Sequence, residues 1–271
     1  MNAAAALATA DYDNFRARQR AAREDGRHIG IGLANYVEGT GLGPFEGATV
    51  RILSNGRVAI YTGATPAGQG HHTTLAQICA DASGLPFEIL RVTHGQTDRI
   101  ERGVGTYASR GTTMTGSAVH LAAIGLNEKI RAAAAEILQA SADDLSISDG
   151  RIHAADGDGA PSLAIGDLAR ELSHNGTATL SAEGTFESTH MGYPYGVHLV
   201  IASVDRETAS ITVEKFVVAY DVGKAINPML LKGQFAGAAA GGHHLGEDAQ
   251  GDFFGRLGTD VDAHRAVDAI D

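Results

Sequence analysis

The sequence holds a single cysteine, Cys79. One thiol excludes an intrachain disulfide framework, and it excludes an iron–sulfur cluster held by this chain alone. Long apolar runs are missing too: none approaches the ~20 residues a helix needs to cross a bilayer, so the chain reads as soluble. Basic residues are scarce, with 21 Lys and Arg against 32 Asp and Glu and a formal net charge of −11. A binder of phosphate backbones needs a basic face, so nucleic acid is not expected as a partner. A buried phosphate held by backbone N–H groups stays open, because it requires no net positive charge. The alanine-rich start, MNAAAALATADYD, lacks the basic n-region and longer apolar core of a secretory signal. A reduced, cytoplasmic protein without a membrane partner is therefore expected.

What is abundant is glycine. The chain has 35 among 271 residues, well above an average usage of roughly 7%. They cluster at Gly63 to Gly70, Gly103 to Gly116 and Gly233 to Gly242. Such clusters mean tight turns, or backbone that another group must approach closely. With 44% hydrophobic residues, the chain can bury a core as one large domain or two packed lobes.

Pattern and turn chemistry predict a polar helix over 9–26, with Asp11 or Asp13 as N-cap, and then strands over 29–37, 48–53 and 58–62. Ser54-Asn55-Gly56 marks a hairpin between the last two. Helices follow over about 70–82 and 113–139, with a strand at 89–93 between them. A second hairpin is centred on Asp149-Gly150, and a short helix on 163–172. Strands over 195–204 and 210–220 lead to a small-residue helix from Pro228 to about Gly242. Hairpins and helices in mixed order predict an α+β fold, with two packed lobes of mixed sheet and helices. The composition suggests a helical extension at 1–28, a first lobe at 29–176 and a second at 177–271.

Chemistry concentrates in three segments. In YTGATPAGQGHHTTLAQICADASG, residues 61–84, a strand runs through Gly68-Gln69-Gly70 into a helix. This directs N–H groups at the positive helix end toward an anion, although most such turns are only turns. In HGQTDRIERGVGTYASRGTTMTGSA, residues 94–118, Thr106, Tyr107, Ser109, Thr112, Thr113 and Thr115 crowd a glycine-broken loop. Those hydroxyls suit a phosphate and a polar heterocycle, or simply cap a helix. Arg110 is equally a phosphate contact or an ion-pair residue. In DVGKAINPMLLKGQFAGAAAGG, residues 221–242, Asn227-Pro228 starts a helix in which Gly233, Gly237 and Gly241 form a stripe beside Gln234. That stripe serves a ligand or tight packing.

In this order the segments resemble the molybdopterin-binding domain of the molybdenum hydroxylases, of the carbon monoxide, aldehyde and xanthine dehydrogenase kind. The resemblance is carried by Gly68-Gln69-Gly70-His71 with Thr73-Thr74 and Ala76-Gln77, and by His94-Gly95 with Thr97-Asp98. It continues in Gly105-Thr106-Tyr107 with Ser109-Arg110, in Pro194-Tyr195-Gly196 with His198, and in Asn227-Pro228 with Gly233-Gln234. It covers roughly Asp11 to Asp260 and is closest to the branch using molybdopterin cytosine dinucleotide.

The resemblance implies that Gly68, Gln69, Gly70, His71, Thr73, Thr106, Tyr107, Ala108, Ser109, Arg110 and Gln234 hold the pterin and its phosphates. It implies a metal bound by the pterin's own sulfurs, with no protein ligand. It also implies hydroxylation of a small-molecule substrate with oxygen from water. The expected partners are the remaining part of the large subunit, an iron–sulfur small subunit carrying 2Fe-2S and an FAD medium subunit.

The sequence departs from the family where the general base belongs. No Gly-Glu-x-Gly segment occurs, Gly255 to Thr259 would place Arg256 at the base position, and Glu247 lies elsewhere in the pattern. A cation cannot take that proton, so no catalytic residue is assigned. His71-His72 and His243-His244 are adjacent pairs that point to different sides of a helix, which makes lone surface histidines the expectation. A molybdenum-dependent oxidoreductase split or truncated at both ends is the leading reading. A non-catalytic remnant or assembly piece is the alternative. A hydrolase built on Ser109, a histidine and Asp221 lacks the Gly-x-Ser-x-Gly elbow.

Overall fold

Phe15, Gln19 and Ala22 form the narrow buried stripe of the first polar segment, and Arg16, Arg18, Arg20 and Arg23 lie on either side of it. The structure, a computed structural model, describes residues 2–154, 161–174, 180–242 and 267–270. The chain falls into two units, one made of Met1–Glu38 with Tyr193–Asp271 and the other of Gly39–Gly192.

The first unit begins with helices α1 (Asn2–Thr9) and α2 (Tyr12–Glu24) and strand β1 (His28–Val37). Asp11 stands at the N-cap of α2 in a left-handed conformation and makes no side-chain cap bond. Gln19 donates from Nε2 to the Ile29 carbonyl at 2.9 Å, tying α2 to β1. Residues 1–28 are not an extension: Ala6 and Ala10 share a core with Phe15, Ala22, Ile29, Val197, Leu199 and Val217.

The second unit contains β2 (Glu46–Ile52), β3 (Val58–Thr62), α3 (His71–Ser83), β4 (Leu90–His94) and α4 (Ser117–Leu138). These are followed by the small sheet of β5 (Leu145–Ser148), β6 (Arg151–Ala154) and β7 (Ser162–Ala164), then α5 (Ile165–His174) and β8 (Ser181–Phe186). The main sheet runs β4-β3-β2-β8, with β3 and β4 parallel and the other pairs antiparallel. Gly56 at φ 78° and the bond from Arg57 N to Asn55 Oδ1 close the β2–β3 hairpin. Asp149 and Gly150, both at positive φ, close the next one. Helices α3 and α4 cover the sheet with Leu75, Cys79, Val119, Ala122, Leu126 and Ile130 against Val50, Ile52, Val58 and Ile60. Burial pushes the Cys79 thiol up to about 12. Because β8 pairs with β2, the change of pattern near residue 177 is not where the units divide.

The first unit is completed by β9 (Tyr195–Val204), β10 (Ile211–Asp221), α6 (Pro228–Gly242) and β11 (Val267–Ile270), in a sheet ordered β1-β9-β10-β11. A bulge interrupts β10 between Val213 and Lys215. Mixed sheets with helices packed on them agree with the α+β expectation.

Candidate functional site

Strand β3 ends at Thr62, and the chain turns through Gly68 and Gly70, both left-handed at φ 105° and 80°. Gly70 is the N-cap of α3 and offers no side chain to satisfy the first amides at the positive end of the helix. Gln69 folds back, and its Oε1 accepts the Ala67 N–H at 2.5 Å. That bond fixes the carboxamide and leaves its NH2 as the outward donor. Thr73 is half-buried and donates its backbone N–H to the Gly70 carbonyl at 3.0 Å.

His71 is the first helical residue and is only 6% exposed. Its Nδ1 has no hydrogen-bond partner among the described residues. A Cβ at Gly111 would come within 2.8 Å of its Nε2, so glycine there lets the imidazole lie against the start of a π-helical turn, Gly111–Gly116. Desolvation lowers the His71 pKa below the ordinary 6.5, a hydrogen bond with the Ala64 backbone opposes this, and His94 and His72 add to the lowering. The expectation of lone histidines fails at His72, whose Nε2 lies 2.6 Å from Nε2 of His94.

The 104–110 segment is built around a pair of charged side chains that are both fully buried, Glu46 and Arg110. Glu46 accepts the N–H groups of Val104 and Gly105, each at 3.1 Å, and Arg110 Nη1 at 2.5 Å. Arg110 also donates to the carbonyls of Leu42 at 2.8 Å, Gly105 at 2.6 Å and Phe45 at 2.5 Å. Four of the five donors of its fork are spent inward, which corrects the Arg110 side chain from phosphate contact to ion-pair residue. Above it, Tyr107, Ala108 and Ser109 are exposed, and Ala108 and Ser109 are successive left-handed residues at φ 46° and 50°. Non-glycine residues take this conformation at a cost of roughly 1–2 kcal/mol each. The Thr106 hydroxyl is buried without a partner among the described residues.

These features fit a bound group carrying phosphate and a polar heterocycle. A Cβ at Gly68 or Gly105 would meet nothing within 4 Å, so the backbone there is open to close approach. Thr106 Oγ1 and His71 Nδ1 are buried polar atoms without a hydrogen-bond partner among the described residues.

Gln234 lies in the other unit, exposed on α6 beside Gly233 and Gly237, where an added Cβ would also meet nothing within 4 Å. The opposite side of α6 buries Ala236 and Ala239 against Phe216, Val218 and Tyr220. Asn227 caps the helix by accepting the Leu230 N–H at 3.0 Å. In the same unit, His198 sits between the rings of Tyr36 and Phe216, and burial lowers its pKa. A Cβ at Gly196 would lie 2.5 Å from the Tyr36 hydroxyl, so glycine there lets the Tyr36 ring lie against β9. Asp221 is held by Tyr195 and by the Gly223 N–H, which gives it a structural task outside a serine triad. His243, His244, Glu247 and Gly255 to Thr259 lie outside the described residues.

Sequence reasoning missed Glu46. Its only signal is a carboxylate flanked by Phe45 and Gly47 at the start of an apolar strand, and its partners are remote in sequence.

The chain matches the family described as a molybdopterin cofactor-binding domain over residues 5–249. It is 35% identical over 241 residues to the 6-hydroxypseudooxynicotine dehydrogenase complex subunit gamma of Paenarthrobacter nicotinovorans, covering 88% of this chain and 30% of that protein. It is 33% identical over 286 residues to the carbon monoxide dehydrogenase large chain of Hydrogenophaga pseudoflava, covering 97% of this chain and 36% of that one. Among solved structures, quinoline 2-oxidoreductase from Pseudomonas putida 86 superposes with a TM-score of 0.76 at 31% identity, over 88% of this chain and 33% of its own. The chain thus spans about a third of the length of the relatives it matches. With the motifs in order and the family matched along most of its length, the chain belongs to the molybdopterin cofactor-binding domain family of the molybdenum hydroxylase large subunits.

Proposed function

We propose that this chain holds part of a molybdenum–molybdopterin cofactor, in the cytosine dinucleotide form, within a molybdenum-dependent oxidoreductase. The observation that carries this reading is the outward face of the second unit. Open backbone at Gly68 and Gly105 stands with two successive left-handed residues and, beneath them, the buried Thr106 hydroxyl, which has no partner among the described residues.

Gln69 offers its fixed carboxamide to a heterocycle, and the N–H groups at Gly70 and His71 serve a phosphate. Thr106 and Ser109 supply hydroxyls, and Tyr107 and Ala108 carry the exposed backbone between them. Thr73 shapes the turn through Gly70. His71, held neutral at neutral pH, presents an imidazole without charge repulsion toward a donor. Gln234, exposed on α6, is a candidate contact considered within its own unit. Such recognition needs no basic side chain, which accords with the net charge of −11.

When bound, the cofactor supplies the redox metal centre for oxidation of an aldehyde, carbon monoxide or a heterocycle. The partners proposed for the chain are an iron–sulfur subunit and an FAD subunit, which would take up the electrons, and the compartment proposed is the cytoplasm. This chain's own residues bind and orient the cofactor, and the proton-transfer base is not assigned to it.

The test uses the intact protein with its partner chains. Gln69→Ala and Thr106→Val are expected to lower the molybdenum and pterin retained per folded protein. Retention at the wild-type level in both variants would remove these residues from the site.

A further inference from the structure

We propose that the buried Glu46–Arg110 pair is a positioning device that holds residues 104–110 in the conformation that receives the cofactor. The proposal rests on the cofactor reading above. Both side chains are fully buried and lie in direct contact, and neither is placed to touch a bound group. Their partners are almost all backbone: two N–H groups for Glu46, and three carbonyls for Arg110.

The tied residues bracket the exposed ones. Val104 and Gly105 are anchored before Thr106, and Arg110 is anchored after Ser109. The segment from Thr106 to Ser109 is therefore a short arch fixed at both feet. Fixed feet account for how Ala108 and Ser109 are kept left-handed, a conformation that non-glycine residues leave unless their surroundings over-determine it.

The same pair joins this arch to the Leu42–Glu46 segment, so one carboxylate and one guanidinium set the spacing of two loops. Opposite charges cancel within the pair, so it adds no net charge beneath the arch. A fork that only neutralised charge would need one carboxylate. This one also satisfies the inward backbone groups of both segments, the pattern expected of a group that orients others.

The experiment uses the intact protein, prepared as wild type and with Glu46→Gln, Arg110→Lys, Glu46→Asp and, as a core control, Leu126→Ala. Amide hydrogen exchange and molybdenum per folded molecule are read together. Glu46→Gln and Arg110→Lys are expected to speed exchange across 104–110 beyond the control, and to lower molybdenum per folded molecule about tenfold, as for outer partners of metal sites. Glu46→Asp, which keeps the charge, should recover part of both. The proposal is overturned if molybdenum per folded molecule stays at the wild-type level, or falls equally in Leu126→Ala. A wild-type protein without molybdenum would remove the cofactor reading and this proposal with it. A loaded wild type with loaded variants would remove the proposal alone.

Discussion

At His71, desolvation by the packed turn around Gly111 and the nearby His94 and His72 act in one direction, each disfavouring the imidazolium. His94 and His198 are lowered likewise, chiefly by burial. Because the folded-state pKa lies below the unfolded value of 6.5, the folded chain binds fewer protons between the two. Its contribution to stability is complete above 6.5 and is lost as pH falls through the folded-state value. The urea midpoint should therefore drop between about pH 7.5 and about pH 5. His71→Gln, which cannot titrate, should make that drop shallower. A midpoint with the same pH slope in both proteins would show that the buried imidazole is not a source of the dependence.

Elements meet here at places where the backbone itself is the contact. Strand β8 lies so close to α4 that a Cβ on Gly184 would fall 2.2 Å from the Ala118 carbonyl oxygen and 2.6 Å from the Ala122 nitrogen. No rotamer relieves a clash with backbone, so Gly184→Ala must push the helix off the sheet at a cost of roughly 1–3 kcal/mol or more. Gly30→Ala in β1, where a Cβ meets nothing within 4 Å, should change stability by less than about 0.5 kcal/mol. Equal losses in the two variants, read by denaturant unfolding, would contradict this packing. What was legible beforehand follows the same physics. The β2–β3 hairpin, α3, α4 and the β9–β10 pair carry local signals, such as Asn55-Gly56 or a sustained apolar period. The pairing of β2 with β8 and of β1 with β9 is long-range, and nothing local to either strand names its partner. Glu46 was hidden for that reason. A single carboxylate in an apolar strand says nothing about Arg110, 64 residues away. The candidate loops themselves were readable because glycine at positive φ and clustered hydroxyls are local requirements.

On the scale of the whole molecule, an acidic chain belongs to a family that binds an anionic cofactor. In the proposed site, backbone amides, the Gln69 carboxamide and hydroxyls would reconcile the two, because such groups recognise phosphate without carrying charge. The chain spans about a third of the length of its relatives, and in the proposed reading its residues are one share of the cofactor shell. The central claim is that this share holds a molybdopterin dinucleotide. It is tested most directly by metal analysis and acid-released nucleotide on the intact wild-type protein purified with its partner chains. Molybdenum and a cytidine nucleotide in equal amounts are predicted. An intact, active complex containing neither would contradict the account.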